Sequence, residues 1–226
     1  MNASSLIIAD DHPLFRTAMR HVVGRLLPHA QVIEAESLDT LQEAVAANPQ
    51  ADLILLDLRM PGAEGLASLL YLRSTHPAIP VVIVSATEDP AVIHRSLDFG
   101  ASGFIHKSAS IDAIGEAPGI VLDGGICLPR KLRETPLIWD EQERDLAQRI
   151  SRLTPQQLKV LLMLANGHSN KDMASSLEIT ESTVKAHITV ILRKLGVERR
   201  TQAAIIAQRQ LQTASQDGLS FQDEED

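Results

Sequence analysis

Cysteine and aromatic residues are scarce in this sequence. The chain of 226 residues has one cysteine, Cys127, so it can form neither an intramolecular disulfide nor a four-cysteine zinc site. Aromatic residues make up 3%, which argues against nucleic-acid binding by base stacking. No apolar run reaches transmembrane length, and the start MNASSLIIADDHP lacks the regions of a signal peptide. We therefore expect a cytoplasmic protein with no membrane partner, and an apolar content of 44% allows a folded core.

Charge is distributed unevenly along the chain. The net charge of −8 argues at first sight against a nucleic-acid partner. Residues 150–211, however, carry nine Lys or Arg and four Asp or Glu, a balance of +5, whereas residues 212–226 carry five acids and no base. The pattern indicates one basic module between acidic neighbours, which is a candidate nucleic-acid-binding module.

The first half of the sequence alternates short apolar runs with segments of helical periodicity. The apolar runs, too short for helices, are Leu6–Ala9, Val32–Ala35, Leu53–Leu56, Val81–Ser85 and Gly103–His106. The helical segments are Pro13–Leu27, Leu38–Ala47, Glu64–Thr75 and Pro90–Phe99. This alternation predicts an α/β domain with a five-stranded, parallel, doubly wound sheet. A fifth helix should start near Ser110 or Ile111, and Pro118-Gly119 should kink or break it.

The second half has only helical signals. Thr154-Pro155 predicts the start of a helix that ends near Gly167, Asn170–Leu177 is a short helix, and Thr180 caps a helix that ends at Gly196. A fourth helix starts at Thr201, and the order indicates an all-α helix-turn-helix domain. We predict domains at residues 1–125 and 150–211, a linker with a helix at 126–149, and a disordered acidic tail at 212–226.

Polar side chains follow the predicted strands at their carboxyl ends. Asp10 and Asp11 follow the first strand, Asp57 the third, Ser85 ends the fourth and Lys107 follows the fifth. Ligands bind at this edge of a doubly wound sheet. Clustered carboxylates stay ionised when a cation joins them, and hard oxygen ligands favour Mg²⁺. An aspartate can accept a phosphoryl group, and Asp57, central in the sheet, is the best candidate.

Each of these residues alone has a simpler interpretation. Asp10 and Asp11 also fit a cap for the helix at Pro13, Lys107 fits a solvated lysine, and Phe104 fits the core. His12 and His106 are interpreted as structural. The joint pattern, and no single member of it, favours phosphoryl chemistry.

The motifs ADDHP, LLDLRMPG, VSA and GFIHK, in this order, resemble those of a response-regulator receiver domain over residues 5 to about 125. The resemblance implies a flavodoxin-like fold and phosphorylation by a histidine kinase. The site residues that it implies are the phosphoacceptor Asp57, the Mg²⁺ ligands Asp10 (through water), Asp11, Asp57 and Arg59 (backbone carbonyl), the switch residues Ser85 and Phe104, and the phosphate-binding Lys107.

The motifs SNKDMA, TVKAH, KLGV and RTQAA resemble the LuxR/NarL-type (FixJ) DNA-binding domain over Leu153–Ala207. In that family the segment Glu181–Leu195 would be the recognition helix; fifteen residues span about 22 Å, and its first half would enter the major groove. The predicted DNA contacts are Asn170, Lys171, Ser182, Thr183, Lys185, Ala186, Thr189, Arg193 and Lys194. Lys185 is the favoured reader of a base or phosphate, and Ala186 suits a thymine methyl group.

Three departures from that family pattern affect the interpretation. Gln156-Gln157 stand where the family has a basic-acidic pair, so an ion pair of the first helix should be missing. Thr189 stands where some relatives carry a base-reading lysine, so the target sequence cannot be inherited from them. The expected break at Pro118-Gly119 puts the dimerisation face in question.

Together these patterns predict a two-component response regulator that is not an enzyme acting on outside substrates. Its partners would be a sensor histidine kinase, double-stranded DNA and a second copy of itself, with Mg²⁺ as cofactor. Two alternatives stay open at this point. One is a constitutive DNA-binding protein whose receiver serves dimerisation or ligand binding, and the other is a phosphatase-like enzyme. The basic balance of residues 150–211 also fits a merely solvated surface.

Overall fold

The structure is a computed structural model that describes residues 4–62, 65–129, 132 and 141–211. Within the predicted linker at 126–149, residues 130, 131 and 133–140 lie outside the described residues, and so does the predicted disordered tail at 212–226.

Five parallel strands form one sheet in the order β2-β1-β3-β4-β5. The strands are β1 (Ser5–Ala9), β2 (Gln31–Ala35), β3 (Leu53–Leu56), β4 (Val81–Ser85) and β5 (Gly103–His106). All residues of β3 and β4 are buried, as expected for strands covered on both faces. The register pairs Ala9 with Leu56, so β1 and β3 end side by side. The predicted doubly wound sheet is confirmed.

The helices of the described residues fall in two groups. Those around the sheet are α1 (Pro13–Leu26), α2 (Leu38–Ala47), α3 (Ala67–Thr75), α4 (Pro90–Asp98) and α5 (Ile111–Leu122). Those of the C-terminal half are α6 (Glu141–Ser151), α7 (Pro155–Ala165), α8 (Asn170–Ser176), α9 (Glu181–Leu195) and α10 (Arg200–Leu211).

Helix α5 runs through Pro118, so the predicted break is wrong. Pro118 removes one backbone donor, which normally disfavours a helix interior. On one face of α5, however, Ile114, Ala117 and Val121 are buried against the sheet and α1. This tertiary packing outweighs the local preference, and the helix continues past Pro118 to Leu122.

Capping residues define the helices of the C-terminal half. Thr154 and Ser169 each form a capping box with the residue three positions later, Gln157 and Asp172 respectively. At the C-terminus of α9, Gly196 ends the helix in the left-handed conformation with φ of 72°. The predicted boundaries of these helices agree with the structure to within one or two residues.

The segment after α5 returns to the free edge of β5. Cys127 forms a parallel bridge with Gly103, and the Phe104 N–H donates to the Cys127 carbonyl at 2.7 Å. A Cβ atom at Gly103 would lie 2.6 Å from that carbonyl oxygen, so this close approach requires glycine. The edge of the sheet next to Phe104 is thereby covered by the chain itself.

The two halves of the chain pack on each other. On the face of the sheet covered by α2, α3 and α4, one apolar cluster continues from Leu56 and Leu69 through Ile150 and Leu158 to Leu211. Helix α3 contacts α7, and α4 contacts α6. The opposite face of the sheet has a separate cluster with α1 and α5.

Candidate functional site

Carboxylates cluster at the carboxyl ends of β1 and β3. Asp10 and Asp57 are each only 2% exposed, and the Asp57 N–H donates to the Ala9 carbonyl at 2.8 Å, which sets the two strand ends side by side. One ligand atom from each of Asp10, Asp11, His12 and Asp57 lies within 4.8 Å of the others. The parallel register thus brings together residues from two strands, as the sequence predicted.

Lys107 supplies the positive charge of this cluster. Its Nζ lies 2.6 Å from Asp10 Oδ2 and 2.7 Å from Asp57 Oδ2. The same Nζ lies 5.0 Å from the centroid of the Phe15 ring, at cation–π distance. The Lys107 N–H donates to the Ser85 carbonyl at 2.8 Å, which continues the β4–β5 pairing and aims the side chain back toward β3.

Burial makes this site costly for charge. Burial raises the pKa of Asp57, and the negative charge of Asp10 raises it further. Lys107 opposes this shift through its hydrogen bond and its charge, and the Arg59 N–H opposes it through a hydrogen bond, but the pKa remains raised. For Lys107, burial lowers the pKa, but its two carboxylate partners outweigh this effect and the pKa is raised overall. Lys107 is one positive charge placed between two negative carboxylates, those of Asp10 and Asp57. A second cation would compensate the remaining negative charge and stabilise both carboxylates in their ionised form.

The donor set fits a hard divalent cation. Carboxylate oxygens predominate, and Asp10 Oδ2 and Asp11 Oδ1 are buried atoms without a well-aligned hydrogen bond in the described residues, although Lys107 and His12 lie close. Oxygen ligands with one or two carboxylates suit Mg²⁺. The acidic cluster can therefore bind a divalent cation, with Lys107 close enough to receive the oxygens of a bound anion.

The predicted switch residues lie on the next two strands. Ser85 is 1% exposed at the end of β4, and its Oγ accepts a hydrogen bond from the Thr87 N–H at 3.3 Å. Phe104 of β5 is 1% exposed, with its ring inside the core. The Nε2–H of His106 donates to the Ala86 carbonyl at 2.8 Å and so joins β5 to the loop after Ser85.

Two residues that position the site were missed from the sequence. Phe15 lies under Lys107, and the buried Arg16 donates to the Asp10 carbonyl at 2.6 Å while pairing with Glu34 and Glu36. Both lie in the first turn of α1, directly after ADDHP. The one sequence signal for Phe15 and Arg16 was that they follow the motif ADDHP directly. Neither residue type suggests a phosphoryl acceptor or a metal ligand, so the sequence did not single them out.

A second candidate surface lies on α8 and α9. The residues predicted to contact DNA and exposed on these helices are Lys171, Ser182, Lys185, Ala186, Thr189 and Arg193. The opposite side of α9 is anchored by Val184, Ile191 and Leu195, all at most 2% exposed. This burial pattern turns the polar and basic positions of the helix to solvent.

The remaining predicted contacts have partners inside the protein. The Lys194 ammonium donates to the Arg152 carbonyl at 2.7 Å and to Gln157 Oε1 at 2.8 Å. Gln157 stands where the family pattern has an acidic residue, and its neutral side-chain oxygen binds the Lys194 ammonium. Asn170 lies 3.4 Å from the Arg200 guanidinium, and Thr183 is half-buried beside the Thr180 cap. Arg200 is a basic neighbour of this surface that the sequence analysis had not singled out.

Comparison with known proteins agrees with this architecture. The family described as "Response regulator receiver domain" matches residues 6–117, and the family "Bacterial regulatory proteins, luxR family" matches residues 151–207. The "Glycerol metabolism activator" of Pseudomonas putida is 41% identical over 207 residues, covering 89% of this chain and 94% of the relative. The "Nitrate/nitrite response regulator protein NarP" of Escherichia coli (strain K12) is 35% identical over 206 residues, covering 89% and 93%.

Solved structures share the fold. The RcsB response regulator of Salmonella typhimurium superposes with a TM-score of 0.55 at 23% identity, covering 91% of this chain and 98% of that chain. RcsB from Salmonella enterica serovar Typhimurium, solved bound to a promoter in the presence of the phosphomimetic BeF₃⁻, gives 0.53 at 23% identity, with the same coverage of both chains.

Fold, acidic cluster and helix-turn-helix together define a class of protein, a receiver joined to a DNA-binding domain that regulates transcription through phosphorylation. The chain belongs to the response regulators with a luxR-family domain. Its two domains are those of a transcriptional regulator and not of an enzyme acting on outside substrates. Within the described residues, no helix is both long enough and apolar enough to cross a membrane.

Proposed function

We propose that Asp57 accepts a phosphoryl group from a sensor histidine kinase and that this event controls DNA binding by the C-terminal half. The observation that carries the proposal is the convergence of Asp10, Asp57 and Lys107, with Lys107 Nζ within 2.7 Å of both carboxylates. In this assignment Asp11, Asp57 and the Arg59 backbone carbonyl would hold Mg²⁺ directly and Asp10 would hold it through water. The bound Mg²⁺ would supply positive charge that neutralises phosphoryl oxygens.

The chemistry is a phosphoryl transfer between two protein side chains. An Asp57 carboxylate oxygen attacks phosphorus, the phosphorus–nitrogen bond of the phosphohistidine breaks, and the electron pair leaves with the imidazole, which takes up a proton. Lys107 would then donate to a phosphoryl oxygen, because the acyl phosphate formed at Asp57 no longer has the negative carboxylate charge that the lysine faces now. Ser85, at the adjacent strand end, is the hydroxyl that would donate to another phosphoryl oxygen, and the buried ring of Phe104 would follow its movement.

An apolar surface beside the site suits the kinase. A pocket of about 530 Å³ opens over Asp57 and Lys107, and its rim includes Leu14, Phe15 and Ala18 of α1. Leu14 is 87% exposed although it is a large aliphatic residue. A helix of the kinase that covered Leu14 would place its phosphohistidine over Asp57 and exclude water from the transfer.

The acceptor assignment is tested by labelling with a radioactive low-molecular-weight phosphodonor in the presence of Mg²⁺. We expect wild-type chain and Asp52→Ala to incorporate label, and Asp57→Ala to incorporate none. Asp52 is a suitable control because it is an exposed aspartate at the opposite end of β3. An EDTA arm should abolish labelling of all variants. Undiminished labelling of Asp57→Ala would show that another residue is the acceptor.

For the C-terminal half, we propose that α9 reads the major groove through Ser182, Lys185, Ala186 and Thr189, with Lys171 and Arg193 on phosphates. Asn170, Thr183 and Lys194 would contribute after giving up or sharing their internal partners. The functional units proposed are a receiver at 1–125, a linker at 126–149 and a DNA-binding unit at 150–211. We further propose that the active form is a cytoplasmic homodimer on two half-sites of double-stranded DNA.

A further inference from the structure

A buried arginine of α1 ties the loop between β1 and α1 to the rest of the receiver. The Nη1 of Arg16 donates to the Asp10 carbonyl at 2.6 Å. Its Nε donates to Glu34, near the carboxyl end of β2, at 3.2 Å, and its Nη2 donates to Glu36 in the following loop at 3.4 Å. Among the described residues, Arg16, Asp10 and Asp57 are the only buried ones that carry a charge.

The carbonyl that Arg16 binds lies between the first two carboxylates of the acidic site. It belongs to the planar peptide group that joins Asp10 to Asp11, so its direction sets where the Asp11 side chain leaves the backbone. On the other side of Asp10, the N–H donates to the Ala35 carbonyl at 3.0 Å and fixes that peptide through the sheet. Asp11 follows the last paired residue of β1. Arg16 therefore holds the peptide group that determines how far apart the two carboxylates lie.

The guanidinium of Arg16 is itself anchored by two carboxylates. Glu34 and Glu36 hold it from β2 and the loop after β2, while α1 carries its backbone. The second oxygen of Glu34 pairs with Arg20 at 3.2 Å, which fixes this glutamate in turn. A planar guanidinium with donors in a rigid fork keeps one orientation when it is held at several points. The contact with the Asp10 carbonyl is thus part of a rigid network.

Mg²⁺ and Ca²⁺ differ in how strictly they define the positions of their ligands. Mg²⁺ requires a nearly octahedral set of oxygens at about 2.0–2.1 Å, whereas Ca²⁺ takes about six to eight oxygens at about 2.3–2.6 Å in variable arrangements. Carboxylates that are held in a compact, fixed arrangement favour the smaller ion, and carboxylates on a loose loop adapt to the larger one. Residues that orient metal ligands from behind typically change metal affinity by about 10–100-fold.

We propose that Arg16 is the positioning residue that makes the acidic site selective for Mg²⁺ over Ca²⁺. Its anchored guanidinium fixes the peptide between Asp10 and Asp11 and so holds their carboxylates in the compact geometry that Mg²⁺ requires. Without it the same carboxylates remain, but Asp11 moves with the loop and the site accommodates the larger ion. The inference rests on the proposed assignment of Asp10, Asp11 and Asp57 as metal ligands.

Charge alone predicts the opposite result for the removal of Arg16. A positive side chain near a cation site repels the cation, so its loss would by itself strengthen the binding of Mg²⁺ and Ca²⁺ alike. Because both ions carry two positive charges, this effect largely cancels in the ratio of their dissociation constants. Weaker binding of Mg²⁺ with little change for Ca²⁺ is therefore a specific sign of altered ligand geometry.

The test compares Arg16→Met with the matched control Arg20→Met. Both variants remove an arginine of α1 that pairs with Glu34, but Arg20 is 55% exposed and, within the described part of the chain, does not contact the Asp10 carbonyl. Dissociation constants for Mg²⁺ and for Ca²⁺ are measured by NMR titration of the ¹⁵N-labelled full chain without phosphodonor. Urea unfolding in EDTA verifies that each variant is folded.

We expect wild type and Arg20→Met to prefer Mg²⁺. Arg16→Met should bind Mg²⁺ about tenfold more weakly, while its dissociation constant for Ca²⁺ should change by less than about twofold. An unchanged ratio of the two constants in Arg16→Met would overturn the proposal, and so would an equal change of the ratio in Arg20→Met. Wild-type protein that binds neither ion would overturn the assignment of the metal ligands itself, which separates that failure from a failure of the role of Arg16.

Arg16→Lys provides a milder variant if Arg16→Met does not fold. Lysine keeps the positive charge and a donor for the Asp10 carbonyl, but its single ammonium lacks the fork that reaches Glu34 and Glu36 as well. The preference of Arg16→Lys for Mg²⁺ should therefore be about threefold weaker than that of wild type, less than the full effect expected for the loss of an orienting residue. A preference equal to that of wild type would show that the anchored guanidinium is not required and would contradict the proposal.

Discussion

At the scale of single residues, the site is organised around one lysine shared by two buried carboxylates. Lys107 pairs with Asp10 and Asp57 and lies over Phe15. One lysine cannot compensate two buried anions fully, which is why burial prevails in raising the pKa of Asp57. Both the binding of an additional cation and the conversion of the Asp57 carboxylate to an acyl phosphate would relieve this uncompensated charge.

Asp57→Asn should stabilise the metal-free protein at pH 7. Burial raises the pKa of Asp57 in the folded chain, so the native state binds this proton more tightly than the unfolded chain does. The ionised carboxylate therefore costs stability above the folded-state pKa, and the cost vanishes below the unfolded pKa of about 4. Urea denaturation in EDTA should show a gain at pH 7 that fades as the pH approaches 4.

Asp52→Asn is the control: Asp52 is an exposed aspartate next to the same strand, and asparagine keeps an oxygen that can accept from the Ser5 N–H, so stability should change little at either pH. A loss of stability in Asp57→Asn at pH 7 would mean that the ion pair with Lys107 outweighs the cost of burial.

Lys185→Ala should flatten the salt dependence of binding to a random duplex. Lys185 is exposed in the first half of α9, and a lysine that meets a phosphate releases about one counterion. The slope of log K against log salt should fall in magnitude by about one unit. Lys159→Ala, which changes an exposed lysine of α7, should leave the slope unchanged, and an equal effect of both variants would point to a general charge effect.

At the scale of secondary-structure elements, two left-handed glycines end helices of the DNA-binding half. Gly167 follows α7 with φ of 78°, and Gly196 ends α9 with φ of 72°. A Cβ atom at Gly196 would collide with the Arg149 guanidinium, whereas one at Gly167 meets nothing within 4 Å. Arg149 also donates to the Leu195 carbonyl at 3.1 Å, so this contact helps to close α9.

Gly196→Ala should therefore destabilise the chain more than Gly167→Ala. Both variants incur the left-handed backbone penalty of about 1 kcal/mol. Only Gly196→Ala must also displace Arg149, so we expect its loss in free energy of unfolding to be larger, at about 2 kcal/mol. Chemical denaturation of the full chain measures both values. Equal losses would show that Arg149 moves aside without cost.

Elements with strong local signals could be predicted from the sequence. The apolar runs of β3 and β4 and the cap and stop residues Thr180 and Gly196 gave boundaries that the structure reproduces, because their preferences are local. Pro118 was misinterpreted because the decisive interaction is non-local, namely the packing of its helix on the sheet and α1. The internal partners of Lys194 were missed for the same reason.

At the scale of the whole molecule, the two halves share an apolar cluster. It continues from the sheet and α3 through Ile150 and Leu158 to Leu211. Sequence patterns identified each half but gave no information on this contact, because it joins surfaces whose residues are far apart in the chain and individually unremarkable. The charges of the halves, acidic for the receiver and basic for residues 150–211, were visible at once.

The shared cluster predicts that the unphosphorylated chain unfolds in one thermal transition. Domains that share buried apolar surface lose it together, so calorimetry should give one peak with equal calorimetric and van't Hoff enthalpies. In Mg²⁺ and BeF₃⁻, where we expect the two halves to part, calorimetry should give two peaks. Two resolved peaks without BeF₃⁻ would mean that the contact between the halves contributes little to stability.

The backbone pairing of Cys127 with β5 makes the chain's one thiol an intrinsic chemical reporter. Cys127 is 4% exposed and is bonded through its main chain to Ser102 and Phe104. An alkylating reagent reaches such a sulfur only when this edge of the sheet detaches, so the rate of alkylation counts opening events beside Phe104. Native protein, without any introduced label, can thus report in real time how often the segment around Cys127 detaches from β5, the strand that leads into Lys107.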